Sequence, residues 1–220
     1  DTFLTQKLAA SDVLRYDDSG EIAPINNDDI IDSVLESDLA SGNSDNANNL
    51  NNTYEAESAA LLSARSQIKP DSFDIDEDIR DIFIEEVAEV IADLEDFLPI
   101  WQQDAQDLTP LTEVRRGFHT LKGSGRMVGA FSISEMAWSI ENLLNRLLEK
   151  TLPVTDEVVA LVIETTQRLP EMLSDFEAQQ LPSFDPAITI VQSNNLMSQQ
   201  PINTGLETSE VISSIADVEG

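Results

Sequence analysis

The chain has 220 residues, 41% of them apolar, and sets 12 Lys and Arg against 42 Asp and Glu for a formal charge of -30 at pH 7. That charge argues against nucleic acid as a partner, because phosphate backbones reward lysine and arginine, and no apolar run approaches the roughly 18 residues that membrane insertion needs. There is no cysteine, so disulfides, thiolate zinc sites and cysteine nucleophiles are excluded, in keeping with a reducing cytoplasm.

The chain begins at Asp1 rather than Met, as expected of a piece of a longer protein. Residues 1–72 are rich in Asp, Asn and Ser and poor in aromatics. Ser41 to Asn52, "SGNSDNANNLNN", is almost wholly polar and has no period. Such a stretch cannot bury enough apolar surface to offset chain entropy, so 1–72 reads as a largely disordered acidic linker. Two short patterns interrupt it, "DDIIDSVLESDLA" and "YEAESAALLSAR", and each is expected to form a transient helix in preference to a docking motif.

Helical periodicity begins after Ser72. Ile79, Phe83, Val87, Val90, Leu94 and Phe97 recur every three or four positions, which predicts an amphipathic helix ended or kinked by Pro99. A second helix is expected from near Thr109, with Pro110 in its first position. Its apolar stripe is Leu111, Val114, Phe118, Leu121, Gly125 and Val128. A third carries Ile133, Met136 or Ala137, Ile140, Leu143 or Leu144, and Leu147. A fourth starts at Thr155, a suitable N-cap followed by Asp156 and Glu157. It carries Val158 or Val159, Val162, Leu169 and Leu173, with Pro170 expected to split off a short final turn holding Phe176.

No segment of this region alternates with a period of two. Four amphipathic helices on short loops predict an all-α fold, an antiparallel four-helix bundle over residues 73–180 with a possible short fifth helix. Residues 181–220 carry three prolines and no basic residue, and read as a second linker. "LETSEVISSIADVE" within it is expected to be a short helix or the edge of a following domain.

The one histidine, His119, lies on the second helix. With Val114 set at zero, the other stripe residues from Phe118 to Val128 fall within roughly 40°, whereas His119 falls near 140°. It therefore stands off the buried face. Arg115, Lys122 and Arg126 fall at about 100°, 80° and 120° and form a cationic stripe around it. In so acidic a chain, that grouping suits a site that carries or meets an anion.

Glycine in a helix interior costs roughly 1 kcal/mol relative to alanine. Gly125 faces the stripe, where close packing accounts for it. Gly123 faces outward one turn after His119, and its missing side chain clears space over the imidazole for an incoming phosphoryl group. Imidazole is a competent nucleophile at neutral pH when its other nitrogen is held by an acceptor. Glu141 on the third helix, one residue past the core position Ile140, is the natural acceptor.

These residues carry a resemblance. "FHTLKGSGRMVG" resembles the H-x-x-K-G-[ST] box of histidine phosphotransfer (HPt) domains, and the similarity runs on through "WSIENLLNRLLEK". It is similar to the HPt domain of CheA-type chemotaxis histidine kinases, above all to the large hybrid kinases of the ChpA or PilL type that control type IV pili and twitching motility. The resemblance implies that His119 accepts the phosphoryl group through Nε2. It further implies that Lys122 neutralises the incoming group, that Gly123 gives clearance and that Glu141 binds Nδ1. The implied module binds no metal or cofactor and is not a catalyst alone. A kinase catalytic domain using Mg-ATP would load it, and a response-regulator receiver aspartate would unload it.

Three other readings compete. Asp74 to Glu85, "DIDEDIRDIFIE", has carboxylates at calcium-loop positions, but Ile79 stands where the loop needs glycine. A metalloenzyme is disfavoured by a single histidine and no cysteine. A helical docking bundle without phosphate chemistry explains the acidic surface and the stripes, but leaves the outward Gly123 beside His119 without a reason.

Overall fold

The computed structural model describes residues 44–198. The patterns "DDIIDSVLESDLA" and "LETSEVISSIADVE" lie outside the described residues. Among the described residues six helices follow in order: α1 (Ser44–Gln67), α2 (Glu77–Gln103), α3 (Leu108–Val128), α4 (Phe131–Leu148), α5 (Asp156–Glu177) and α6 (Pro186–Ser198). Among the described residues there is no strand.

Helices α2 to α5 form the bundle, with α3 packed between α2 and α4 and with α5 closing against α2. Short connections make sequential helices antiparallel neighbours. The expected stripes of α3, α4 and α5 are all buried, among them Val114, Phe118 and Leu121 of α3, Met136, Ile140 and Leu144 of α4, and Val162 and Leu169 of α5. Phe176 closes one end of the core, its ring edge-on to Phe83 at 5.4 Å between centroids.

On α2 the buried line is Phe83, Val87, Ile91, Leu94, Leu98 and Trp101, whereas Ile79 is exposed. Val90 and Phe97 are only half-buried. The face is displaced because α2 touches both α3 and α5, so its core line follows the seam between two neighbours rather than one.

Asp76 caps α2 by accepting from the Asp78 N–H at 2.9 Å, which makes the acidic run from Asp74 a helix start rather than a cation loop. Pro99 neither ends nor splits α2. A proline removes one backbone bond, and the burial of Leu98 and Trp101 beside it offsets that loss. Pro170 likewise sits inside a continuous α5 that reaches past Phe176, so the expected separate final turn is absent.

Helix α3 starts one residue earlier than expected. Asp107 is its N-cap, accepting from the Thr109 N–H at 2.8 Å, so Pro110 occupies the third helical position, still within the first turn, where an N–H would have no intrahelical acceptor. Thr155 caps α5 as expected.

Two helices extend the expected bundle. α6 lies on α4 and α5, and Ser193 Oγ donates to the Ser139 carbonyl at 3.0 Å. α1 packs on α6 through a small apolar cluster of Ala60, Leu61, Ala64 and Ile68 against Ala187, Ile190 and Val191. A 2.5 Å ion pair between Arg65 and the buried Asp185 fixes that contact. The linker expectation therefore fails for 44–67 and for 186–198. Each segment buries little alone, and each becomes helical by packing on the other or on the bundle.

The turn between α3 and α4 positions the site. Gly129 ends α3 at φ 82°, in the left-handed region that glycine tolerates. Ser72 crosses this turn and its N–H donates to the Gly129 carbonyl at 2.9 Å. Asp71 supplies the cap that Ala130 cannot, accepting from the Ser132 N–H at 2.8 Å. Burial raises the Asp71 carboxyl above its ordinary value, and its bonds to Ser132 oppose that rise.

Candidate functional site

His119 projects from the exposed flank of α3 beside α4, with more than half of its side chain open to solvent. Its Nδ1 lies 2.7 Å from Glu141 Oε1. A carboxylate can only accept, so Nδ1 carries the proton and donates. In the neutral ring the lone pair then resides on Nε2. One hydrogen bond thus fixes both the tautomer and the ring orientation.

Glu141, although one residue past the core position Ile140, is itself buried. Its side chain is only 6% exposed, covered where α4 meets α3. A buried carboxylate is costly unless paired, and α3 supplies three partners. Lys122 Nζ is 2.5 Å from Oε2, His119 Nδ1 is 2.7 Å from Oε1, and Arg115 Nη1 is 3.7 Å from the same oxygen. Burial pushes the carboxyl up. Hydrogen bonds from Lys122 and His119, reinforced by their charge, outweigh it and hold Glu141 below the usual range.

The spacing on α3 explains the convergence. Arg115, His119 and Lys122 are separated by four and three residues, so they rise in one column along one face. Opposite them, close packing brings α4 within reach. A Cβ on Gly125 would sit 3.1 Å from the Ala130 carbonyl oxygen and 3.1 Å from Ser134 Cβ. Ser134 Oγ also donates to the Lys122 carbonyl at 2.9 Å. Gly125 therefore lets the two backbones approach, and Glu141 reaches the column two turns further along α4.

A Cβ on Gly123 would meet nothing within 4 Å. No packing inside the described chain requires glycine there, and the space beside the imidazole is open.

Arg126, also on α3, turns instead to a neighbouring pair of residues on α4. It donates to Glu135 at 3.0 Å, and its guanidinium lies 5.3 Å from the centre of the Trp138 ring. Trp138 is exposed here. The wheel of α3 does not reveal Glu135 or Trp138, which stand on α4. The signal was available, because Trp138 precedes Glu141 by three residues and so shares its face of α4.

Residues 78–179, which hold this column, match the family model of the Hpt domain. Among named proteins the chain is similar to the chemotaxis protein CheA of Klebsiella aerogenes, at 29% identity over 54% of this chain and 19% of that protein. CheA of Listeria innocua is 27% identical over 58% of this chain and 21% of that protein. The chain thus spans about a fifth of the length of these relatives. The fold is similar to that in the crystal structure of the phosphorylated P1 domain of CheA3 in complex with CheY6 from R. sphaeroides. That match has a TM-score of 0.51 and 16% identity, and covers 56% of this chain and 98% of that one.

Proposed function

We propose that this bundle is the phosphoacceptor and carrier module of a phosphorelay, with His119 as the residue that holds the phosphoryl group. The observation that carries the reading is the 2.7 Å bond from His119 Nδ1 to Glu141, which holds the proton on Nδ1 and so makes Nε2 the nucleophilic nitrogen of the neutral ring.

In the loading step the Nε2 lone pair attacks the γ-phosphorus of ATP held by a kinase catalytic domain. The Nε2–P bond forms, the bond to the β-phosphate oxygen breaks and ADP leaves. The Nδ1 proton stays in place, so the ring becomes cationic, and the Glu141 carboxylate faces that new charge. Lys122 lies close enough to exchange part of its contact with Glu141 for the incoming oxygens. Gly123 leaves room for the partner. In the unloading step an aspartate oxygen of a receiver domain attacks phosphorus, the N–P bond breaks and the ring returns to its neutral tautomer.

Mg-ATP is used by the kinase partner, and the bundle itself needs no cofactor for these steps. The parent protein is a CheA-like kinase acting in the cytoplasm, where ATP is supplied. The similarity of "FHTLKGSGRMVG" and "WSIENLLNRLLEK" to multi-module kinases points to pilus-based motility as its output. Among the described residues no helix is long and apolar enough to cross a membrane.

The test is transfer of label from ATP through a CheA-type kinase core to the 220-residue chain, then chase by a receiver domain. The wild type should gain an acid-labile, base-stable phosphate that the receiver removes, and His119→Gln should gain none. Equal labelling of both would leave only the docking-bundle reading.

A further inference from the structure

Glu141 is served by more positive charge than one hydrogen bond to His119 requires. Lys122 holds Oε2 at 2.5 Å, while Arg115 stands 3.7 Å from Oε1, on the oxygen that also receives the His119 proton. The Arg115 side chain is half-buried at 30% exposure, and its Nε is enclosed without a hydrogen-bond partner among the described groups. A surface arginine serving only solubility would extend into water. This one lies back along α3 toward a carboxylate on α4, one turn before the imidazole.

We infer that Arg115 is a positioning residue for the transfer, a reserve counter-charge that keeps Glu141 ionised and aimed at Nδ1 when Lys122 turns to the phosphoryl group. This rests on the proposed role of His119. In the resting state both cations serve one carboxylate. Once phosphorus is bonded to Nε2, its oxygens bring close to two negative charges within reach of Lys122. If Lys122 alone sustained Glu141, its departure would leave the buried carboxylate with the phosphorylated ring as its one cationic partner, and that ring's charge is itself drawn toward the phosphoryl oxygens. Arg115 approaches from the opposite side of His119 along the column and can keep its place. The charged groups that face Glu141 are Arg115, His119 and Lys122, all on α3.

A counter-charge in reserve has a distinctive signature. Each cation covers for the other, so loss of both should cost more than the product of the single losses. The experiment uses the 220-residue chain with phosphoramidate, a small donor that needs no docked partner, and follows N-phosphorylation by 31P NMR. Wild type, Arg115→Gln, Lys122→Gln and the double variant are compared, with thermal unfolding of each to verify the fold. Coupling between the two substitutions should be about tenfold in rate, within the range found for residues sharing one partner. Arg115→Lys should recover most of the rate, because charge is what is required.

The same variants labelled at the Glu141 carboxyl carbon should show its titration midpoint rising most in the double variant. Single losses that simply multiply, with an unmoved Glu141 titration, overturn the role of Arg115 and leave that of His119 standing. A wild-type chain that accepts phosphate neither from phosphoramidate nor from a kinase core overturns both.

Discussion

Replacing Gly123 separates what the fold needs from what transfer needs. A helix-interior glycine is destabilising by about 0.5–1 kcal/mol relative to alanine. At position 123 an added Cβ meets nothing within 4 Å, so no contact in the described chain opposes that gain. Gly123→Ala should therefore be more stable by up to about 1 kcal/mol, a rise in Tm of about 1–4 °C for a domain of this size. A larger side chain should block a protein partner instead. Position 123 is one turn from His119, where neighbouring Cβ atoms lie about 5–6 Å apart. Reacting atoms must approach to about 3–3.5 Å, and a displacement of about 1 Å can cost a hundredfold. Gly123→Leu should slow transfer from a kinase core by about that factor. Labelling by phosphoramidate should change little, since a small donor needs no docking surface. The two assays are denaturant unfolding and paired labelling from the two donors. A Gly123→Ala chain less stable than wild type would show that glycine serves the fold. Wild-type transfer from the kinase core to Gly123→Leu would refute the clearance argument.

Glu141→Gln removes the charge that faces the phosphorylated ring and should slow phosphoryl acceptance by at least about tenfold, read by the same labelling. Because Glu141 is held below the usual carboxylate range, the stability it contributes is fully present above that range. That contribution is lost as pH falls through the depressed value, so unfolding free energy plotted against pH should lose part of its acid slope in Glu141→Gln. An unaltered slope would contradict the assignment. Arg65→Ala breaks the pair with buried Asp185, weakening the hold on α1 by about 1–3 kcal/mol after allowance for partial exposure. Amides of α1 should then exchange faster while those of α3 and α4 keep their protection, and unchanged exchange in α1 would count against the clasp. Asp71→Ala should lower stability by about 1 kcal/mol through loss of the α4 cap, and Asp71→Asn, which keeps an acceptor for the Ser132 N–H, by less. Equal losses in the two would show that the cap is not what Asp71 provides.

The parts of the fold legible beforehand are those where one helix faces one core. The stripes of α3, α4 and α5 lie where their periodicity put them, and Thr155 caps as its position implied. Helix α2 was harder because two neighbours share its buried face, which moves the core line from Ile79 and Val90 to Ile91 and Trp101. Helix α6 shows no clear stripe since α1 and the bundle enclose it on different sides, with small and hydroxyl side chains such as Ala187, Thr189 and Ser193 doing the packing. Neither proline broke its helix, since burial on both sides of Pro99 and Pro170 outweighs one lost backbone bond.

In the site, the wheel of α3 was enough to put His119 off the core with Arg115 and Lys122 beside it. The burial of Glu141 was not visible in that wheel, because it depends on how closely α4 approaches at Gly125. Nor was the diversion of Arg126 to Glu135 and Trp138, both of which stand on the other helix.

The most direct test of the central claim is to find which nitrogen of which residue carries phosphorus. The chain, labelled with 15N at its single histidine and phosphorylated by a kinase core, should show 31P coupling to Nε2 of His119 and a proton retained on Nδ1. Phosphorus on Nδ1, or on any residue other than His119, would contradict the account.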